Sequence, residues 1–277
     1  MSRSQFRAAS RRRAKSIRWG SSLKAHWPEY AIEAAGVAAF MTSALGFTVL
    51  LEHPDSPVHQ AIASAVLRRA LMGLAMGSTA VVLVYSPWGQ RSGAHFNPAL
   101  TFTYLRLGKV KPDDALFCAL AQFFGAIAGV FATAHVIGAV ADPHVRFAVT
   151  LPGSLGVLAA FAAEVAISFG LMFIVLCASN AARTARFTGM FCGLLVATYI
   201  TVEAPISGMS MNPARTLGSA AGAAHFASLW IYFTAPPLGM LLAAEVYLRT
   251  RGAARVRCAK LQHGIRQRCI FCGHRAA

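Results

Sequence analysis

Four ionisable side chains sit where an apolar chain gives them little solvent: Glu33, Glu164, Arg215 and His95. Within membrane segments such groups are costly, and they face cavities, partners or a transport path. Two carboxylates could relay protons or act as a base toward a substrate. They could equally accept hydrogen bonds from buried backbone N–H groups, and their matched positions, each early in an apolar run, fit that scaffold role better. Arg215 could donate to a polar solute and repel cations; its alternative is a side chain that snorkels to the surface. His95 reads as a polar group that lines a cavity or anchors a loop, with no second ligand at metal spacing. No Ser-His-Asp order, HExxH helix or phosphate-binding loop is present, so the sequence reads as a non-enzyme.

Two short stretches must position these groups. Ser92-Gly93-Ala94-His95-Phe96-Asn97-Pro98-Ala99 and Ser207-Gly208-Met209-Ser210-Met211-Asn212-Pro213-Ala214 share one pattern, Ser-Gly-x-x-x-Asn-Pro-Ala. Asn is a favoured helix N-cap, and Pro at the first helical position gives up an N–H that has no intrahelical partner anyway. Each stretch therefore predicts a helix start, at Asn97 and at Asn212. The runs that follow, to about Leu105 and Ala220, are too short to cross a bilayer. Such half-helices put irregular backbone at membrane depth, tolerated only where it lines a protein-walled, water-accessible cavity.

Composition supplies the surroundings. Of 277 residues, 56% are hydrophobic and 13% charged, against roughly 25% charged in soluble proteins. Six spans are predicted, at about Tyr30–Leu51, Ala70–Tyr85, Asp113–Val140, Leu155–Ala178, Phe187–Val202 and Leu229–Leu248. The +16 formal charge gathers at the ends. Residues 1–28 form a basic N-terminal tail, 29–248 the membrane domain and 249–277 a basic C-terminal tail. Both tails, and loop residues such as Arg91, Arg106, Lys109 and Arg183, place the termini in the cytoplasm, as an even span count requires. The tails lack aromatic interleaving, so no nucleic-acid partner is expected. Cys118, Cys177 and Cys192 read as small core residues. Cys269-x-x-Cys272 has zinc-ligand spacing, with Cys258, His263 and His274 nearby, but the segment is short and Arg-rich and reads as a disordered, metal-free tail.

The chain also repeats. Each half has a Glu early in its first span, a second span, a box and a third span; three crossings per half invert the second copy, so the boxes enter from opposite faces. Inverted repeats with broken helices place a site near the bilayer midplane. Two helix N-termini meeting there oppose cations by their dipoles, while the capping asparagine amides can donate to a neutral solute.

The paired boxes resemble the Asn-Pro-Ala boxes of the aquaporin (major intrinsic protein) family, over about Tyr30 to Leu248. The resemblance implies an all-α membrane fold of six transmembrane helices and two re-entrant half-helices. It implies a passive channel for water or small uncharged solutes, with no cofactor or metal, in the lipid of a plasma or inner membrane and assembled as a homotetramer. A secondary transporter is the alternative, without visible charge partners for an ion or substrate. Asn97, Pro98, Ala99, Asn212, Pro213 and Ala214 would form the pore boxes, Glu33 and Glu164 would hold the loops, and Arg215 would stand at the constriction. Counting from the second box adds Met209 and Ile200 to that constriction. The fourth position falls on Met76, with Gly77 next, because Tyr85 to Gly93 is longer than usual. Water-selective members carry His and an aromatic at the Ile200 and Met76 positions. Thr216, Ala220 and the Tyr232-Phe233 pair point back toward water.

Overall fold

The computed structural model describes residues 19–263 and 268–274. The basic residues of segment 1–18, with Arg266 and Arg275, lie outside it. Eight helices carry the architecture: α1 Trp19–Glu52, α2 Ala65–Tyr85, the half-helix α3 Pro98–Arg106, α4 Pro112–Val136, α5 Gly156–Ser179, α6 Thr188–Val202, the half-helix α7 Pro213–Gly222 and α8 Leu229–Arg251. Six of them are long and apolar enough to cross a membrane. Among the described residues there is no strand.

Three close pairs, α1 with α4, α5 with α8 and α2 with α6, make the frame. Half-helix α3 packs against α8 of the second half, and α7 against α4 of the first. Each half thus completes its core with the other's third span. Small residues let the pairs close: a Cβ on Gly125 would collide with the Ala34 carbonyl, and one on Gly239 with the Val165 carbonyl. Gly170 meets only the Tyr199 side chain, so it makes room for a phenol rather than for a backbone. Gly125→Val should force α1 and α4 apart, costing on the order of 1–3 kcal/mol, and should lower the thermal midpoint in detergent by several degrees. Gly46 has nothing within 4 Å of the missing Cβ; Gly46→Ala is the control and should be neutral or stabilising.

Three boundaries differ from the sequence reading by four residues or more; one is the start of α2, at Ala65 rather than about Ala70. Helix α1 starts at Trp19, not near Tyr30, and runs through Pro28. Polar contacts extend it beyond the apolar run: Ser22 donates to Asp113, and His26 and Tyr30 each bond Asp114 at 2.6 Å. Those two aspartates occupy the first turn of α4, where the helix dipole favours them. Helix α4 ends at Val136 rather than Val140, because Ile137 leaves helical geometry and a short 3-10 turn, Gly138–Ala141, follows.

The stretch after α8 is packed, not detached. Val256, Cys258, Ala259, Lys260, Leu261 and Cys269 are buried. Arg257 N–H donates to Asn180 Oδ1 at 2.7 Å, and Arg268 pairs with Glu29 at 3.1 Å. The start of α1, the first box and the C-terminal stretch therefore share one end of the bundle.

Candidate functional site

The two boxes fold alike because they carry the same local instructions. Gly93 and Gly208 take left-handed φ of 115° and 80°. Ala94 and Phe96, and their counterparts Met209 and Met211, follow with φ between 46° and 57°, a region non-glycine residues rarely occupy. The alternation turns backbone N–H groups inward, and a buried carboxylate collects them. Glu33 accepts from His95 N at 3.1 Å, Phe96 N at 2.6 Å, Ser92 Oγ at 2.6 Å and Gln122 Nε2 at 2.8 Å. Glu164 accepts from Ser210 N at 2.6 Å, Met211 N at 2.8 Å and Ser207 Oγ at 2.8 Å. The positions of Gln122 and Pro236 correspond, so only the first carboxylate gains a fourth donor. Ser92, Ser207 and Gln122 are site residues the sequence reading did not single out; the signal was present, since both serines belong to the repeated box.

Each asparagine caps its own helix. Asn97 Oδ1 accepts from Ala99 N at 2.9 Å, and Asn212 Oδ1 from Ala214 N at 3.0 Å. The sequence reading left their amides free to donate, but each has one N–H already engaged. Asn97 Nδ2 donates to Met211 O at 2.7 Å, and Asn212 Nδ2 donates to Phe96 O at 2.8 Å. This reciprocal pair ties the two boxes tip to tip. A carboxamide has two N–H donors, so one remains on each asparagine for the cavity they both line.

That cavity holds about 350 Å³ and is lined by residues of both boxes. Its walls are helical stripes at i+4 spacing: Phe40, Ala44, Thr48 and Glu52 from α1, and Met72, Met76 and Ala80 from α2. Cys192, Val196 and Ile200 do the same from α6. Met76, Ile200, Met209 and Arg215 all face it. Gly77 is not among the lining residues; it packs against the backbone of Gly193 on α6. Arg215 stands in the first turn of α7, with Nη1 buried and unpartnered by protein. A buried donor without a partner costs about 1–3 kcal/mol, and Arg215 lines the cavity, where a polar molecule could meet it. Glu52 and Arg69 line the far mouth, and the sequence reading placed neither in the site.

His95 lines the cavity and also anchors two segments. Nδ1 lies 3.0 Å from Thr101 Oγ1, and Nε2 lies 2.7 Å from Ala259 O. A carbonyl only accepts, so Nε2 carries the hydrogen. In the second box the shorter Ser210 side chain bonds Thr216 and the backbone of Asn212, all local partners. The tail residues Cys258, His263, Cys269 and Cys272, read from sequence as part of a disordered segment, converge with their ligand atoms all within 4.8 Å of one another. The folded stretch 256–261 is what brings Cys258 to the Cys-x-x-Cys turn.

Comparison with known proteins follows this geometry. A family model described as major intrinsic protein matches residues 26–247. Aquaporin NIP6-1 of Arabidopsis thaliana is 36% identical over 174 residues, 62% of this chain and 55% of that protein. Glycerol uptake facilitator protein-like 6 of Lactiplantibacillus plantarum is 34% identical over 176 residues, 62% of this chain and 81% of that protein. The aligned part spans little more than half the length of the first plant relatives, 55–62%. The X-ray structure of the aquaglyceroporin from Plasmodium falciparum superposes with a TM-score of 0.69 at 19% identity, covering 83% of this chain and 98% of that one. That likeness is one of fold.

Proposed function

The chain belongs to the major intrinsic protein family, and on that premise we propose that it is a passive channel for water and small uncharged solutes. One observation carries the reading: two half-helix N-termini meet at the Asn97–Asn212 clasp on a cavity that also receives the unpartnered Nη1 of Arg215. Positive dipole ends and a guanidinium on one path raise the energy of any cation or hydronium there. The spare asparagine and arginine N–H groups offer hydrogen bonds to a neutral solute oxygen.

Met76, Ile200, Met209 and Arg215 form the constriction in this reading, with one fixed charge and three apolar side chains. Ile200 gives water no hydrogen bond, so water passes modestly and a small neutral solute is admitted. Glu33 and Glu164 hold the loops and do not relay protons. The protein lies in a plasma or inner membrane with both termini cytoplasmic, which puts the first box and the C-terminal stretch at the cytoplasmic mouth. Exposed apolar residues on the outer faces, such as Leu74, Phe124, Leu158 and Leu194, suit lipid and three further copies of the chain in a homotetramer.

Proteoliposomes test the reading. The reconstituted protein should speed osmotic shrinkage in stopped flow while planar bilayers carry no current. A proton or sodium conductance through the unaltered pore would overturn it, and flux that requires an ion gradient would favour a transporter instead.

A further inference from the structure

The C-terminal stretch carries a feature that a water or solute path does not need. Cys258 Sγ lies 3.5 Å from Cys269 Sγ, and His263 Nε2 lies 3.2 Å from Cys272 Sγ. In a tetrahedral zinc site with Zn–S of about 2.3 Å and Zn–N of about 2.0 Å, ligand atoms sit roughly 3.5–3.8 Å apart. The four ligand atoms lie within 4.8 Å of each other, so sub-ångström shifts would close such a tetrahedron. Each cysteine would bind the metal as its thiolate. A Cys258–Cys269 disulfide would use two of the four groups and leave the approach of His263 and Cys272 without a cause. Cys₃His is a soft donor set that suits zinc, and with all four positions supplied by protein it describes a closed, structural site.

The same stretch covers the mouth beside the first box. Leu261 N–H donates to Gly93 O at 3.1 Å, and Lys260 Nζ donates to Gln90 O at 2.6 Å and to Arg268 O at 2.9 Å. The Phe271 ring stacks on His95 with centroids 5.2 Å apart. Leu261 itself lines the cavity. These contacts come from residues next to the ligand cysteines in sequence. A segment this short buries too little apolar surface to hold its own shape, and small folds of that size depend on a metal or another cross-link.

We propose that Cys258, His263, Cys269 and Cys272 bind one zinc ion and that the ion clamps the C-terminal stretch as a cap on the pore mouth. Zinc replaces the thiol protons on binding, with no change of oxidation state. The metal site stands on its own geometry; the cap's effect on flux rests on the channel reading.

The full-length protein, purified in detergent with a reductant that does not bind metal, should carry about one zinc per chain by elemental mass spectrometry. Cobalt reconstitution of stripped protein should give thiolate charge-transfer and tetrahedral d–d bands. Cys269→Ser and Cys272→Ser should each lose most of the zinc and the cobalt spectrum, while Cys177→Ser, away from the cluster, keeps both. No zinc uptake and no cobalt bands in the unaltered protein, or a Cys258–Cys269 disulfide that persists in reductant, would overturn the site. In vesicles, chelator treatment should raise osmotic permeability several-fold, and Cys272→Ser should show the raised rate with or without zinc. Zinc bound at full stoichiometry with permeability unchanged by stripping would overturn the clamp. Vesicles impermeable under every condition would overturn the channel reading and the cap with it, while the metal content of the solubilised protein still decides the site.

Discussion

Glu164→Gln should cripple folding while leaving the selectivity of whatever folds unaltered. The carboxylate uses Oε1 for Ser207 Oγ and Ser210 N, and Oε2 for Met211 N. A carboxamide has a single acceptor oxygen, so in either orientation at least one inward N–H faces an N–H. Each buried donor left unpaired costs about 1–3 kcal/mol, and the bonds that remain lose their charge assistance. Glu164 also acts electrostatically on Arg215, so its neutralisation leaves that guanidinium with less compensation in a low-dielectric wall. A total loss of roughly 3 kcal/mol or more is expected, a large part of the stability of a marginal fold. Yield after purification and the thermal midpoint in detergent measure it. Glu33→Gln should fall by a similar amount, since His95 N and Phe96 N sit on opposite oxygens there too. Should Glu164→Gln fold normally and transport lose its pH dependence, the carboxylate is a proton relay and the scaffold role is wrong.

Met209→Ala should admit larger solutes. Met209 sits in the second box with φ of 50° and faces the cavity alongside Arg215 and Ile200. Its thioether chain is flexible and apolar, filling space without offering hydrogen bonds. Truncation keeps Cβ, so the backbone conformation meets no new obstacle, and it opens the wall beside the guanidinium. Glycerol permeability should rise about fivefold or more, equivalent to roughly 1 kcal/mol off the barrier. Water permeability should change less, because water is the smaller solute and no donor is removed. Uptake by unaltered and Met209→Ala vesicles at matched protein content decides this; equal glycerol rates would show that the narrowest point lies elsewhere.

What the sequence determined was local or periodic. A capping asparagine followed by proline starts a helix whatever surrounds it, and both half-helices begin at Pro98 and Pro213 as that chemistry requires. Six apolar runs of spanning length became six long helices, because a bilayer demands internal backbone bonding. The repeated Ser-Gly-x-x-x-Asn-Pro-Ala pattern put a glutamate upstream of each copy; that each would hold its loop was implied by the family resemblance, and Glu33 bonds the first box and Glu164 the second.

Only the tertiary structure decided contacts between residues far apart in the chain. The asparagine amides cross to the opposite loops, 114 and 116 positions away, and no local pattern encodes that choice of acceptor. Met76 rather than Gly77 faces the cavity because α2 rotates Gly73 and Gly77 onto α6, where side chains would strike the Ala197 and Gly193 backbones. Pro28 is carried inside α1 by the polar bonds of its neighbours His26 and Tyr30 to Asp114 across the interface with α4. Cys258, His263, Cys269 and Cys272 span 15 positions of an Arg-rich tail, and composition alone describes such a segment as solvated. They come together because the folded helical bundle supplies what the tail lacks: a carbonyl at Gly93, an imidazole at His95 and a carboxylate at Glu29 on which a short chain can be held.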